Sequence, residues 1–212
     1  MKKPVTYILS LLISALMVFV IIGLSGSLVV FIRVTPDKAL SMAEEKELQP
    51  VVKKELFSYF EERYNTTSIP ADVYTSAISD ELIRETINSN IKNGFEFLSS
   101  GKTSDAELSV PELDKNLEDF YNNYAEENGI EKNSKFSSSL EKAQTSAKNA
   151  IADKCDVFKM RALQKHGVLQ KLAPVYRNLG KLIAIVIACE ILLMLLLILV
   201  CRKEKKSTWY IG

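Results

Sequence analysis

The sequence predicts an all-α protein in which two transmembrane helices flank a helical-bundle domain outside the membrane. No charged side chain occurs from Pro4 to Ile32, and Glu190 is the only charge from Leu182 to Cys201. A helix needs roughly 20 mainly apolar residues to cross about 30 Å of hydrocarbon, and both stretches reach that length. Between them apolar residues recur at steps of three and four, and no run alternates as a strand would.

These stretches divide the 212 residues into five parts. The first apolar run is longer than the core of about 7–15 residues that a secretory signal carries, so we expect an uncleaved signal anchor. The predicted parts are a cytoplasmic N-terminus (1–4), transmembrane helix 1 (5–32), an extracytoplasmic helical domain (33–181), transmembrane helix 2 (182–201) and a basic cytoplasmic tail (202–212).

Basic residues near the membrane ends predict the orientation. Cytoplasmic flanks are rich in lysine and arginine, whereas a loop as long as the middle domain is translocated largely regardless of its charge. We therefore expect both termini in the cytoplasm and a multi-pass protein of the plasma membrane. On the tail the basic residues are Arg202, Lys203, Lys205 and Lys206, and on the domain side Lys171, Arg177 and Lys181 are expected to contact anionic headgroups.

Glu190 is the most unusual single residue, because it lies near the middle of the second apolar stretch. A carboxylate there costs about 2.5–3.5 kcal/mol on insertion scales, so the group should be protonated, hydrogen-bonded or paired. Within the chain the candidate contacts are the small-xxx-small pairs Ser10/Ser14 and Gly23/Ser27 of the first stretch. The alternatives are a second copy of the chain or another membrane protein.

The domain between the spans is expected to be a bundle of about four to five helices. Helix starts are predicted at Thr35-Pro36, at Pro50, at Ser79 and at a capping box that begins at Ser109. Gly101 and Gly129 are expected to end helices. Apolar stripes run through Val52, Leu56, Phe60 and Tyr64, through Ile83, Ile87, Ile91, Phe95 and Leu98, and through Leu113, Leu117, Phe120, Tyr121 and Tyr124.

A longer periodic pattern begins at about Ser134 and continues to Ala162, roughly eight helical turns. It leads towards the second apolar stretch with only Gly167 and Pro174 as breaks or kinks. We expect one long helix here, either as a stalk or as a lever that transmits a signal.

Charge is unevenly distributed along the domain. Residues 37–131 hold 21 acidic and 9 basic side chains, whereas residues 132–181 hold 3 acidic and 11 basic ones. The simplest interpretation is that the basic helix packs among acidic ones. The alternative is an acidic face for a cationic partner and a basic collar for lipid headgroups.

Residues that carry reaction chemistry are sparse. The chain has one histidine and three cysteines, and it contains none of the HExxH, CxxC, GxSxG or glycine-rich phosphate motifs. Cys155 is interpreted as a small buried apolar residue rather than a functional thiol. No cofactor or metal is predicted, and nucleic-acid binding is not expected.

These observations predict a non-enzymatic accessory or scaffold protein of a bacterial cell envelope. Its expected contacts are the lipid bilayer and either a membrane-protein partner or a second copy. The alternative is a ligand sensor, because the layout is similar to that of bacterial sensors with a helical domain between two spans. Such a sensor would use a pocket among Phe57, Tyr64, Phe95, Phe97, Phe120 and Tyr124. An envelope hydrolase is the least favoured alternative.

Overall fold

The computed structural model describes residues 3–102 and 108–201, and these residues form helices with no strand among them. They divide into two compact units, one made of residues 3–35 and 174–201 and the other of the described residues between 36 and 173. The all-α prediction is confirmed. The helices are α1 (Lys3–Arg33), α2 (Pro36–Glu45), α3 (Leu48–Thr67), α4 (Ala71–Thr75), α5 (Asp80–Ser100), α6 (Pro111–Asn128), α7 (Ser134–Lys154), α8 (Met160–Lys165) and α9 (Val168–Cys201).

The unit of residues 36–173, here called the helical domain, is built around α3 and α5. Helix α3 packs against α4, α5 and α7, while α6 packs against α4 and α7 and α8 packs against α5. The five predicted apolar positions of α5 are all buried. In the first stripe Val52, Leu56 and Phe60 are buried, but Tyr64 is 52% exposed. The centre of the core is fully buried and contains Leu56, Phe60, Tyr74, Ile83, Ile91, Leu113, Leu117 and Ile151.

Helix boundaries follow the predicted signals at most positions. Helix α2 begins at Pro36, and Ser79 caps α5 by accepting a hydrogen bond of 3.1 Å from the Leu82 N–H. Gly101 and Gly129 follow the ends of α5 and α6 with φ of 75° and 61°, a conformation that glycine adopts without strain. Helix α3 begins at Leu48, two residues before the predicted start.

The predicted capping box at Ser109 is wrong. The N-cap of α6 is Val110, which has a non-helical backbone with φ of −133° and ψ of 80° and no side chain able to cap. The physical reason is Pro111 at the first helical position, because a proline forces the preceding residue out of the helical region. Ser109 therefore lies one residue too far from the helix to accept from its first turn.

The predicted continuous helix from Ser134 to Ala162 is also wrong. Helix α7 ends at Lys154, and Lys159 has a left-handed backbone with φ of 57° immediately before α8. Asp156 explains the break, because its buried carboxylate accepts hydrogen bonds from the backbone N–H groups of Arg161 (2.9 Å) and Ala162 (3.3 Å). Aspartate favours such capping conformations over a helix interior.

Cys155 is fully buried, as predicted for a small apolar residue, and burial raises the pKa of its thiol to about 12 from the ordinary 9.0. We therefore expect a Cys189→Ala/Cys201→Ala variant to resist maleimide in the native state and to react once unfolded, because the thiolate is the reactive species. Rapid native-state labelling would contradict this. The raised pKa also makes the free energy of unfolding depend on pH. The contribution of Cys155 is fully present below pH 9 and is lost as the pH rises towards 12, because in this range the thiol ionises in the unfolded chain but stays protonated in the folded one.

Candidate functional site

The unit of residues 3–35 and 174–201, here called the hairpin, pairs α1 with most of α9 in antiparallel fashion. Near one end Ile13 and Met17 pack with Leu197, and at the other end the Tyr176 hydroxyl donates to the Val34 carbonyl at 3.2 Å. The less exposed positions of each helix follow steps of three and four, the spacing of a coiled-coil seam. These positions are 6, 10, 13, 14, 17, 20, 24 and 27 on α1 and 176, 179, 183, 186, 190, 193, 197 and 200 on α9.

Glu190 occupies one of these seam positions. Both carboxyl oxygens are buried and have no hydrogen-bond partner among the described residues. The seam contacts at Leu197 and Tyr176 place Glu190 level with about Val20 to Leu24, whose side chains are apolar. A carboxyl group left unpaired in an apolar seam weakens the packing of the two helices.

The four small residues predicted as contacts of Glu190 do not hydrogen-bond to it. Ser10 is buried and donates to the Tyr7 carbonyl at 2.9 Å, and Ser27 donates to the Gly23 carbonyl at 2.8 Å. Ser14 lies near the level of Leu197, about 10 Å along the helix from Glu190 at 1.5 Å per residue. A Cβ placed on Gly23 would meet nothing within 4 Å, so this glycine brings no helix close in the described chain.

The predicted basic residues fall into two groups. Lys171, Arg177 and Lys181 are exposed on α9. Arg202, Lys203, Lys205 and Lys206 lie outside the described residues.

The aromatic side chains proposed for a sensor pocket are dispersed. Phe95 and Phe97 are buried in the core, whereas Tyr64 and Tyr124 are 52% and 51% exposed. Phe120 stacks on Tyr124 with ring centres 6.2 Å apart. These six residues line neither of the two cavities described below, so the aromatic pocket is not found there.

The helical domain instead has a cleft of about 880 Å³, formed by α5, α7 and α8 together with Leu108, Ser109 and Gln170. Its volume lies within the range of small-molecule sites. The polar lining includes Glu85, Asn90, Lys148, Arg161 and Lys165. A shallower cavity of about 480 Å³ lies on α7 alone, between Ser138 and Asn149.

Two contacts hold the walls of this cleft in place. Asn90, which is buried, donates from its side-chain nitrogen to the Ala152 carbonyl at 3.0 Å and so ties α5 to α7. Gly94 brings α5 close to α8, because a Cβ at this position would lie 2.7 Å from Cβ and Cγ of Met160. Helix α8, whose first turn is capped by Asp156, carries Arg161 and Lys165 on the cleft.

Sequence reasoning missed this cleft because its walls come from segments distant along the chain. Asn90 and Gly94 were included in the apolar α5 helix, and Arg161 and Lys165 were included in a helix that does not exist as predicted. Asn90 was the available signal, since a polar residue on the same helical face as Ile83, Ile87 and Phe95 needs a partner.

The remaining chemistry is sparse in the described part of the chain. No group of three or more His, Cys, Asp or Glu side chains is arranged to hold a metal ion there. The ion pairs found among the described residues lie largely on the surface, and one bridge between helices joins Lys148 of α7 to Asp114 of α6 at 2.6 Å. Comparison with known proteins finds no family model, no curated protein and no solved structure that matches the chain.

Proposed function

We propose that the chain is an integral membrane protein whose hairpin crosses the bilayer and whose helical domain serves as a non-enzymatic accessory or scaffold of the cell envelope. The observation that carries the proposal is the exposed outer face of the hairpin. In the most apolar 18-residue stretch of each helix only 17% is buried, whereas the core helix of a soluble protein is mostly buried. Among the outward side chains, Phe19 is 74%, Ile22 63% and Leu199 61% exposed.

A bilayer explains why the outer face of the hairpin is apolar and exposed. Large apolar side chains exposed over two long helices are unfavourable in water and favourable against lipid tails.

The seam between α1 and α9 supports the proposal that α1 is retained rather than cleaved as a signal. Removal of α1 would uncover Leu197 and the carboxyl group of Glu190.

The charges of the sequence support the proposed orientation, with both termini in the cytoplasm and the helical domain outside. The tail carries Arg202, Lys203, Lys205 and Lys206 within a few residues of the apolar segment. On the other side, exposed Lys171, Arg177 and Lys181 suit contact with anionic headgroups.

Glu190 supports a role in association. Its carboxyl group weakens the seam and has no hydrogen-bond partner among the described residues, so a leucine would pack better there. Polar groups inside membranes commonly bind a neighbouring helix. In this proposal the side chain rotates out of the seam and hydrogen-bonds to a helix of a membrane-protein partner or of a second copy.

A second candidate is an extracytoplasmic ligand sensor, which the 880 Å³ cleft favours. The break between α7 and α8 removes the rigid lever that the sequence predicted for such a sensor. A ligand would instead act on α8, the short helix that lies between the break and Gly167.

The test of the association role is a series of substitutions at Glu190. We expect Glu190→Ala and Glu190→Leu to lower the recovery of cross-linked complexes from mild detergent about tenfold, a loss of about 1.4 kcal/mol that is typical of one intramembrane hydrogen bond. Glu190→Gln should retain part of the association, because its amide still forms hydrogen bonds. Unlike Glu190→Ala, the leucine variant should also make the hairpin more resistant to denaturation.

The neighbouring Cys189→Ala is the control, since this exposed residue lies off the seam. Equal recovery of complexes from Glu190→Leu, Cys189→Ala and the natural chain would remove the proposed role of Glu190.

A further inference from the structure

We propose that the cleft between α5, α7 and α8 binds a small oxyanion, the carboxylate or phosphate group of a solute. This inference goes beyond the scaffold role and does not depend on how the chain lies in the membrane. It rests on the charge, the polarity and the fixed walls of the cleft.

The charge of the lining favours an anion. Among the described lining residues there are three cations, Lys148, Arg161 and Lys165, and one acid, Glu85. The domain as a whole has the opposite balance, with 24 acidic and 20 basic side chains between residues 37 and 181. A locally positive concave surface in an acidic domain concentrates anions at that place.

The three cations differ in how far they are already paired. Lys148 lies 2.6 Å from Asp114, so its charge is largely compensated. Arg161 approaches Asp153 through Nε at 3.7 Å, a longer contact than that of Lys148 with Asp114. Lys165 has no ion pair with any of the residues the structure describes. Arg161 and Lys165 are therefore the cations expected to bind the ligand.

Uncharged donors also line the cleft. Asn93, Asn149 and Gln170 carry amide groups, and Ser89 and Thr145 add hydroxyl groups. Gln170 already donates to the Gln164 carbonyl at 3.0 Å and Asn93 to the Ser89 hydroxyl at 3.3 Å, and each of these amide nitrogens has a second N–H to donate. Amide and hydroxyl donors beside a guanidinium group are the usual partners of a carboxylate or phosphate oxygen. A volume of about 880 Å³ also suits a small molecule rather than a folded partner.

The walls are positioned before any ligand binds. The Asp156 carboxylate fixes the first turn of α8, and the close contact of Gly94 with Met160 fixes α8 against α5. Arg161 and Lys165 are therefore held by backbone contacts that a ligand does not have to create. Such preorganisation lowers the entropy lost on binding.

The test is binding to the purified full chain in detergent micelles at constant ionic strength. The probes are citrate, inorganic phosphate and, as an uncharged control, sorbitol, with calorimetry and the thermal unfolding midpoint as readouts. We expect saturable binding of citrate, phosphate or both, with a raised midpoint, and none of sorbitol. Comparing the two anions separates a carboxylate ligand from a phosphate ligand.

Charge variants of opposite sign distinguish the cleft from non-specific binding. Lys165→Gln should weaken anion binding about threefold to tenfold, and Glu85→Gln should strengthen it about threefold, as expected for one charge near a surface site. Lys92→Gln removes an exposed cation of α5 outside the cleft and should change nothing. The increase in anion affinity expected of Glu85→Gln is the more informative result. A loss of binding could come from misfolding, whereas a misfolded variant does not bind more tightly.

Two results would overturn the proposal. One is the absence of saturable binding of both anions up to about 10 mM, a concentration that still detects very weak sites. The other is binding that Lys165→Gln and Glu85→Gln leave as strong as in the natural chain.

Discussion

Gly94→Ala is expected to destabilise the helical domain, although alanine is the better helix former. The added Cβ would lie 2.7 Å from both Cβ and Cγ of Met160, well inside van der Waals contact. Overpacking of this kind costs about 1–3 kcal/mol. Alanine in place of glycine within a helix recovers up to about 1 kcal/mol. With the full recovery the net loss should reach about 2 kcal/mol, equivalent to a rise of up to about 30-fold in the unfolded fraction.

The buried thiol of Cys155 reports this loss. In the full chain with Cys189 and Cys201 replaced by alanine, the rate of Cys155 modification should rise in proportion to the open population. Gly23→Ala is the matched control, since a Cβ there meets nothing within 4 Å. In a Met160→Gly background the cost of Gly94→Ala should disappear. A cost that is the same in both backgrounds would show that the contact with Met160 is not its cause.

Asp156→Ala is expected to loosen α8 and to cost the domain about 0.5–2 kcal/mol. The substitution leaves the backbone N–H groups of Arg161 and Ala162 without their buried acceptor. Loss of a side-chain cap at a helix N-terminus costs about 0.5–2 kcal/mol. Hydrogen exchange followed by mass spectrometry should show faster exchange at these two amides before any change in α5.

Two variants check that the cap itself is responsible. Asp156→Asn keeps an acceptor oxygen and should lose only part of the stability. Asp153→Ala removes an exposed carboxylate 3.7 Å from the same Arg161 and should cost no more than about 0.5 kcal/mol. A loss of stability with Asp153→Ala as large as that with Asp156→Ala would assign the effect to charge rather than capping.

The helices of this protein could be predicted where their signals are local. Ser79 caps α5, glycines end α5 and α6, and the apolar stripe of α5 is buried at every predicted position. Each of these features depends on a few neighbouring residues. The two apolar stretches could likewise be recognised from length and composition alone.

Features that depend on distant contacts could not be predicted. The apolar pattern continues through residues 155–159 without glycine or proline, so periodicity alone did not reveal the break. The break depends on where the Asp156 side chain finds its hydrogen bonds. The cleft was harder still to predict from the sequence, because it forms only when α5, α7 and α8 pack together.

The surroundings of Glu190 in the two paired apolar helices became visible only in the structure. The sequence identified Glu190 and proposed serines and a glycine as its contacts. The antiparallel register places Ser10, Ser14 and Ser27 at other levels of the seam, and no partner for Glu190 is found among the described residues. Its contribution to association therefore stays a prediction.

The central claim, a helical domain held outside the cytoplasm by two spans, is tested most directly by cysteine accessibility in intact cells. Single cysteines would replace Asn123, which is exposed on α6, and Ser207 of the tail, in a chain without its three natural cysteines. We expect an impermeant maleimide to label position 123 in intact cells and position 207 only after the membrane is opened. Labelling of position 207 but not of position 123 in intact cells would contradict the proposal and place the domain in the cytoplasm.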